Sequence, residues 1–68
     1  MKPVSGKRMC KALVAQGWLL HDTQGSHHLY IHPDSPLKIA VPVHGKRDLA
    51  IGTQRTIMRQ AGLTEANL

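Results

Sequence analysis

Gly17 and Gly62 constrain this chain more than any other residues. Each follows a stretch whose apolar residues recur every three or four positions. A glycine just past such a stretch closes a helix, because it takes the left-handed conformation without the steric cost of a Cβ. Ser5 is a good N-cap, so the first helix is predicted over about Gly6 to Gln16. Met9, Cys10, Leu13 and Val14 form its apolar stripe, while Lys7, Arg8 and Lys11 fall largely off it, toward water. The second helix is expected from about Gly52 or Thr53 to Gln60, with Thr53, Ile57 and Ala61 along one side and Met58 flanking them. Thr64-Glu65 offers one more turn.

Between the two glycines the period changes to two. Trp18 to Asp22 reads as a short strand, Thr23-Gln24-Gly25 as a turn, and His27 to His32 as a second strand. Pro33-Asp34-Ser35-Pro36 breaks that strand, and Leu37 to Val43 reads as a third, with Leu37, Ile39 and Val41 on one face. Pro42 has no N–H to give a ladder, which places it at the strand's end or on an edge. In the second strand, Leu29 and Ile31 are expected to face the helices. His28, Tyr30 and His32 are then expected on an open face, with Lys38. His44-Gly45-Lys46-Arg47-Asp48 is a polar loop. Short connections favour antiparallel neighbours. The expected fold is therefore α+β, a helix, a three-stranded antiparallel sheet and a helix, with residues 1–68 forming one domain.

A chain of 68 residues buries a limited core, and without Phe that core must be Leu, Ile, Val, Met and Ala. Cys10 is the lone cysteine and reads as a small buried hydrophobe, which fits a reduced, cytoplasmic setting. No apolar run approaches the length of a membrane span, and no signal-peptide pattern follows Met1-Lys2-Pro3. The net charge of +5 sets nine Lys and Arg against Asp22, Asp34, Asp48 and Glu65. That balance points to nucleic acid, an acidic protein or an anionic surface as partner.

Histidine is the side chain best able to take or give a proton near neutral pH, and two stand side by side in Gly25-Ser26-His27-His28. RNA carries its own nucleophile, the ribose 2′-hydroxyl, so a positioned imidazole and cations against the phosphate suffice for cleavage. No metal site is expected. His27, His28, His32 and His44 lack a tight ligand spacing, and adjacent histidines on a strand point to opposite faces. His32 and His44 read as turn or loop residues. The candidate phosphate-binding cations are Lys7, Arg8 and Lys11 on the first helix, Lys46 and Arg47 in the loop, and Arg55 and Arg59 four apart on the second helix. Trp18 and Tyr30 are too few for a stacking platform.

Ser5-Gly6-Lys7, Gly17-Trp18, Gly25-Ser26-His27-His28, His32-Pro33, Val41-Pro42-Val43-His44, Gly52-Thr53 and Gln60-Ala61-Gly62-Leu63 follow one another in an order and spacing that resembles the HicA toxin family of bacterial toxin–antitoxin pairs. The resemblance covers about Ser5 to Leu63. It implies a double-stranded-RNA-binding-like fold and an endoribonuclease that cleaves mRNA with no cofactor. It also implies a cognate HicB antitoxin covering the active surface. The family's catalytic histidine follows the Gly-Ser pair, which is His27 here, supported by Gly25 and Ser26. His28 is the reserve, because strict alternation puts His27 on the same face as Leu29 and Ile31. Tyr30 and Lys46 are candidate helpers for the second proton transfer. The alternatives are a small non-catalytic RNA-binding module and an adaptor that docks an acidic partner.

Overall fold

The computed structural model describes all residues from Met1 to Leu68. The order is α1 (Gly6–Ala15), β1 (Leu19–Gln24), β2 (His27–His32), β3 (Ser35–Pro42) and α2 (Ile51–Ala61), followed by a 3₁₀ turn at Glu65–Asn67. The sheet is antiparallel in the order β1-β2-β3, and both helices pack on one of its faces. This is the α+β arrangement expected from the residue pattern, and it is consistent with the double-stranded-RNA-binding-like fold that the family resemblance implies. No helix is long and apolar enough to cross a membrane.

The helix ends form where the capping residues stand. The Arg8 N–H donates to Ser5 Oγ at 3.1 Å, satisfying one of the free donors of α1's first turn. Gly17 (φ +92°) and Gly62 (φ +69°) take left-handed conformations just past α1 and α2. The core runs between the layers, with Met9 and Leu13 of α1, Ile39 and Val41 of β3, and Ile57 and Met58 of α2 all buried. Two stripe residues depart from expectation: Val14 is exposed, and Cys10 is only partly buried. Ala12 takes the inward position instead. The stripe of α2 is likewise rotated, since Gln54 is fully buried while Thr53 is not. The Gln54 amide is satisfied on both ends. It accepts the Val4 N–H at 2.8 Å and donates to the Lys2 carbonyl at 3.0 Å, pinning the N-terminal segment to α2. A buried amide so paired costs little, whereas an unpaired one would cost on the order of 1–3 kcal/mol.

The largest correction concerns β2. Tyr30, not Leu29 or Ile31, is buried against the helices. Its ladder partner on β3 is Ile39, and His28 pairs with Val41, so His28, Tyr30 and His32 share the inner face. Leu29, Ile31 and His27 share the outer one. Side chains alternate along a strand, so one anchored residue sets the whole phase. The Tyr30 side chain lies beside Cys10. The His32 ring finds a partner at each nitrogen. His32 Nδ1 accepts the Asp34 N–H at 3.0 Å, and Nε2 lies 3.2 Å from the Gln16 carbonyl, which it meets as a donor. The His32 ring packs on Trp18 with centroids 5.1 Å apart. A Cβ on Gly17 would approach His32 Nε2 to 3.0 Å, so Gly17 answers both to its dihedral and to this contact. His32, the last residue of β2 and not the turn or open-face residue expected, thus joins the start of the β2–β3 turn to the α1–β1 connection.

The strand ends differ from the expected ones by a few residues. The β1–β2 turn is Gly25-Ser26 alone, and β1 extends through Thr23 and Gln24. The β2–β3 turn is Pro33-Asp34, with β3 starting at Ser35. A bulge at His21 shifts the β1–β2 register, from Leu20↔Tyr30 to Asp22↔Leu29. Pro42 closes β3, as its missing N–H requires.

Burial, reinforced by the neighbouring Cys10 thiol, pushes the Tyr30 hydroxyl well above its ordinary value of 10.0. Burial also raises the Cys10 thiol above 9.0. The fold holds both groups neutral, and both folded values lie above the unfolded ones. The stability they contribute is complete below about pH 9 and is lost as pH climbs past 10 toward the folded values. Tyr30→Phe should cost about 1 kcal/mol at neutral pH and lose less further stability between about pH 9 and about pH 11 than the wild type does. Urea midpoints across that range measure it; parallel alkaline losses in both proteins would refute the assignment.

Candidate functional site

Glycine leads the β1–β2 turn with φ +59°, and Ser26 follows with an ordinary negative φ. Glycine at the first central position and a standard residue at the second is the pattern of a type II′ hairpin turn, whose twist matches the strands it joins. Nothing lies within 4 Å of where a Gly25 Cβ would stand, so the turn's outer side is open to an approaching backbone. His27 is the first residue of β2, paired with Gln24 on β1 and Pro42 on β3. It is exposed. His28, one residue on, is partly buried and pairs with Thr23 and Val41 on the inner face. The adjacent histidines therefore occupy opposite sides of the sheet, and the expectation that His28 lies on the open face is reversed.

Two backbone ties bring other segments to this end of the molecule. The Val43 N–H donates to the Ser26 carbonyl at 2.7 Å, fastening the loop after β3 to the hairpin turn. The N-terminus of α1 presses on the same end: a Cβ on Gly6 would lie 2.2 Å from the Pro42 carbonyl oxygen. Asp48 bridges to Ser5, and the Leu49 N–H donates to the Val4 carbonyl at 2.8 Å. The loop between these anchors turns at Gly45 (φ +57°), with the Arg47 N–H donating to the His44 carbonyl at 3.0 Å. Lys46 and Arg47 project from it into solvent. Gly25, Ser26, His27, Lys46 and Arg47 thus share one end of the fold, with Lys7 close behind on α1.

The remaining cations are placed otherwise. Arg8 directs its Nε to the Leu68 backbone oxygen at 2.8 Å, with Nη2 on the same oxygen, so this guanidinium holds the C-terminal turn. Lys11 borders a shallow apolar dimple with Cys10, Val14, Ala15 and Tyr30. Arg55 and Arg59 are exposed on α2, away from its buried Gln54, Ile57 and Met58. Tyr30 does not reach the His27 side at all, and its raised hydroxyl keeps its proton. It is not available as a helper there.

Lys38, Thr53, Thr56 and Gln60 were not among the expected site residues, yet they line a channel between β3 and α2. Only the pairing of β3 with α2 assembles them, and single-residue chemistry carries no sign of it. The outer face itself combines His27 with the side chains of Leu29 and Ile31, both partly buried, and of Leu19, which is 59% exposed. An imidazole at the rim of an apolar sheet face, beside a cationic loop, can shuttle a proton next to a bound anion.

A family model described as HicA toxin of bacterial toxin–antitoxin matches residues 6–63 of the chain. No curated protein matches it.

The close approach of α1 to β3 should make Gly6 intolerant of any side chain. Its Cβ would meet only backbone atoms, Pro42 O at 2.2 Å and Pro42 C and Val43 Cα at 3.1 Å, none of which can rotate away. Gly6→Ala should lose about 1–3 kcal/mol or more. Gly52→Ala, in a helix with open space around it, should gain about 0.5–1 kcal/mol. Denaturant midpoints of the two variants check the contrast, and a stabilising Gly6→Ala would contradict the packing described.

Proposed function

The chain belongs to the HicA toxin family of bacterial toxin–antitoxin systems, and on that footing we propose that it is an endoribonuclease that cleaves mRNA in the cytoplasm with His27 as its catalytic residue. The observation that carries this reading is the position of His27. It is exposed on the outer face, at the first residue after an open Gly-Ser turn, and the turn is tied to the loop that bears Lys46 and Arg47. His28 on the inner face has no such access.

The chemistry follows from RNA's own structure. The ribose 2′-hydroxyl attacks the adjacent phosphorus, and the 5′-oxygen of the next nucleotide leaves. His27 takes the proton from the hydroxyl or gives one to the leaving oxygen, a role worth about a hundred- to ten-thousand-fold, and water or the Lys46 ammonium carries the other transfer. Lys46 and Arg47 hold the phosphate as its charge builds. Gly25, without a side chain, lets the RNA backbone close on the turn, and the Ser26 hydroxyl serves to meet a phosphate oxygen or orient the ring. A metal is not needed where the nucleophile is internal and the charge is met by cations.

A HicB-type antitoxin would neutralise the toxin by covering this face. Leu19, Leu29 and Ile31 give such a partner an apolar patch, and the loop cations give it a positive rim. Replacing Lys46 and Arg47 should slow association more than it speeds dissociation, as measured by surface-capture kinetics, because rim charges act mainly on encounter.

Incubating RNA with the wild-type chain and with His27→Ala in excess EDTA tests the enzyme reading. The wild type should cut, and His27→Ala should cut at least about a hundredfold more slowly while keeping its RNA affinity. His28→Ala should lose activity only in step with its melting temperature. Tight binding without cleavage by the wild type would reassign the chain as a non-catalytic RNA-binding module, and equal cleavage by wild type and His27→Ala would remove His27 from the centre.

A further inference from the structure

Two adjoining grooves, which together form an open channel, lie along the free edge of β3 on the side of α2. One stretch is lined by Lys38, Ala40, Gly52, Thr53, Thr56 and Gln60. The next is lined by Pro42, His44, Arg47 and Asp48, and it shares Thr53 with the first. Lys38, Ala40 and Pro42 alternate along β3, and the ladder pairs Ala40 with Leu29 and Pro42 with His27. The strand wall of the channel is therefore in phase with His27 and Leu29, while its other wall is α2, so the channel follows the sheet edge from one face toward the other. Its head lies beside the cationic loop.

The chemistry of the lining is specific. Lys38 and Arg47 stand toward its two ends, and neither is ion-paired within the chain. Asp48 is the only acid along the channel, and its backbone is held by Ser5 beside Arg47. Between the cations lie two hydroxyls and a primary amide. Thr56 Oγ1 has committed its hydrogen to the Gly52 carbonyl at 3.0 Å, so it faces a ligand as an acceptor. Gln60 offers both a donor and an acceptor. An acceptor beside a cation suits a ligand that carries hydroxyl donors and phosphates together. The span from Lys38 to Pro42 is about 13 Å of strand, room for about four nucleotides at the ~3.4 Å rise of a stacked strand.

We infer that this channel binds the RNA strand flanking the phosphate at His27, with Lys38 on a phosphate and Thr56 and Gln60 reading ribose 2′-hydroxyls. The inference rests on the ribonuclease reading above for its choice of ligand, and it adds residues that lie outside the histidine and loop constellation. The 2′-hydroxyl is the group that separates RNA from DNA at a given site. The channel thus selects RNA by its sugar as well as by cleavage chemistry.

The test uses the His27→Ala chain, so that substrate survives, and titrates it with an RNA and the matching DNA of about ten nucleotides at several salt concentrations, read by fluorescence anisotropy. Lys38→Ala should weaken RNA binding about threefold to tenfold and lower the salt slope by about 0.7, the share of one phosphate contact on a single strand. Thr56→Val with Gln60→Ala should weaken RNA about threefold to tenfold and leave DNA unchanged. All three positions are exposed and melting temperatures should not move. Unchanged RNA affinity in these variants would overturn the inference. So would equal losses for RNA and DNA in the Thr56/Gln60 variant. Weakened binding of an acidic protein partner with RNA affinity intact would hand the channel to that partner. Failure of the wild type to cut RNA would sink the proposed activity alone, because the channel is judged by binding curves that need no cleavage.

Discussion

Tyr30 packs inward against Cys10 and Ile39, and the function-bearing face follows from that single contact. A strand has only two faces, so burying Tyr30 carries His28 and His32 inward with it and turns His27, Leu29 and Ile31 out. A slip of one residue would bury His27 and expose Tyr30. Register on this strand is therefore the same question as access to the candidate catalytic imidazole. The two hydrogen bonds of His32 and the packing of Tyr30 beside Cys10 and Ile39 favour the observed phase, because the His32 ring is satisfied at both nitrogens while Tyr30 buries its ring.

The small core is compensated by ties between distant segments. Gln54 joins the N-terminal strand-like segment to α2, His32 joins the β2–β3 turn to the end of α1, and Arg8 joins α1 to the C-terminal turn. Each spans a large separation in sequence with a short hydrogen bond. The hairpin turn is fastened by the Val43–Ser26 bond and by the seat of Gly6 on Pro42. His27 is consequently held at a braced corner and not on a free loop, which is what positioning a proton-transfer group demands.

The outer face is unusual for a basic protein. Its middle is apolar, its rim is cationic, and its titratable group stands at one corner. An apolar patch left open on a small soluble domain marks a partner surface more often than a solvent one. A face of this composition suits the proposed roles, a polyanionic substrate at its rim and a protein cover at its centre.

Much was legible in the sequence. The glycines at 17 and 62, the cap at Ser5 and the change of period from near four to two sufficed for helix, three strands and helix, because each reports a local conformational requirement that no distant contact needs to supply. The Gly-Ser-His-His segment and the cations of the polar loop were legible for the same reason. The phase of β2 was not. Leu29 and Ile31 are the more apolar residues, so hydrophobicity alone turns them inward, and only the packed structure reveals the packing of Tyr30 and the partners of His32 that make the opposite choice cheaper. Gln54 reads as surface until Val4 and Lys2 are seen on its amide. The channel of Lys38, Thr56 and Gln60 exists only because α2 lies along β3. The sequence by itself determined the elements and the chemistry they carry; the tertiary structure decided which face that chemistry occupies, since the energy that sets a strand's phase comes from residues far away in the chain.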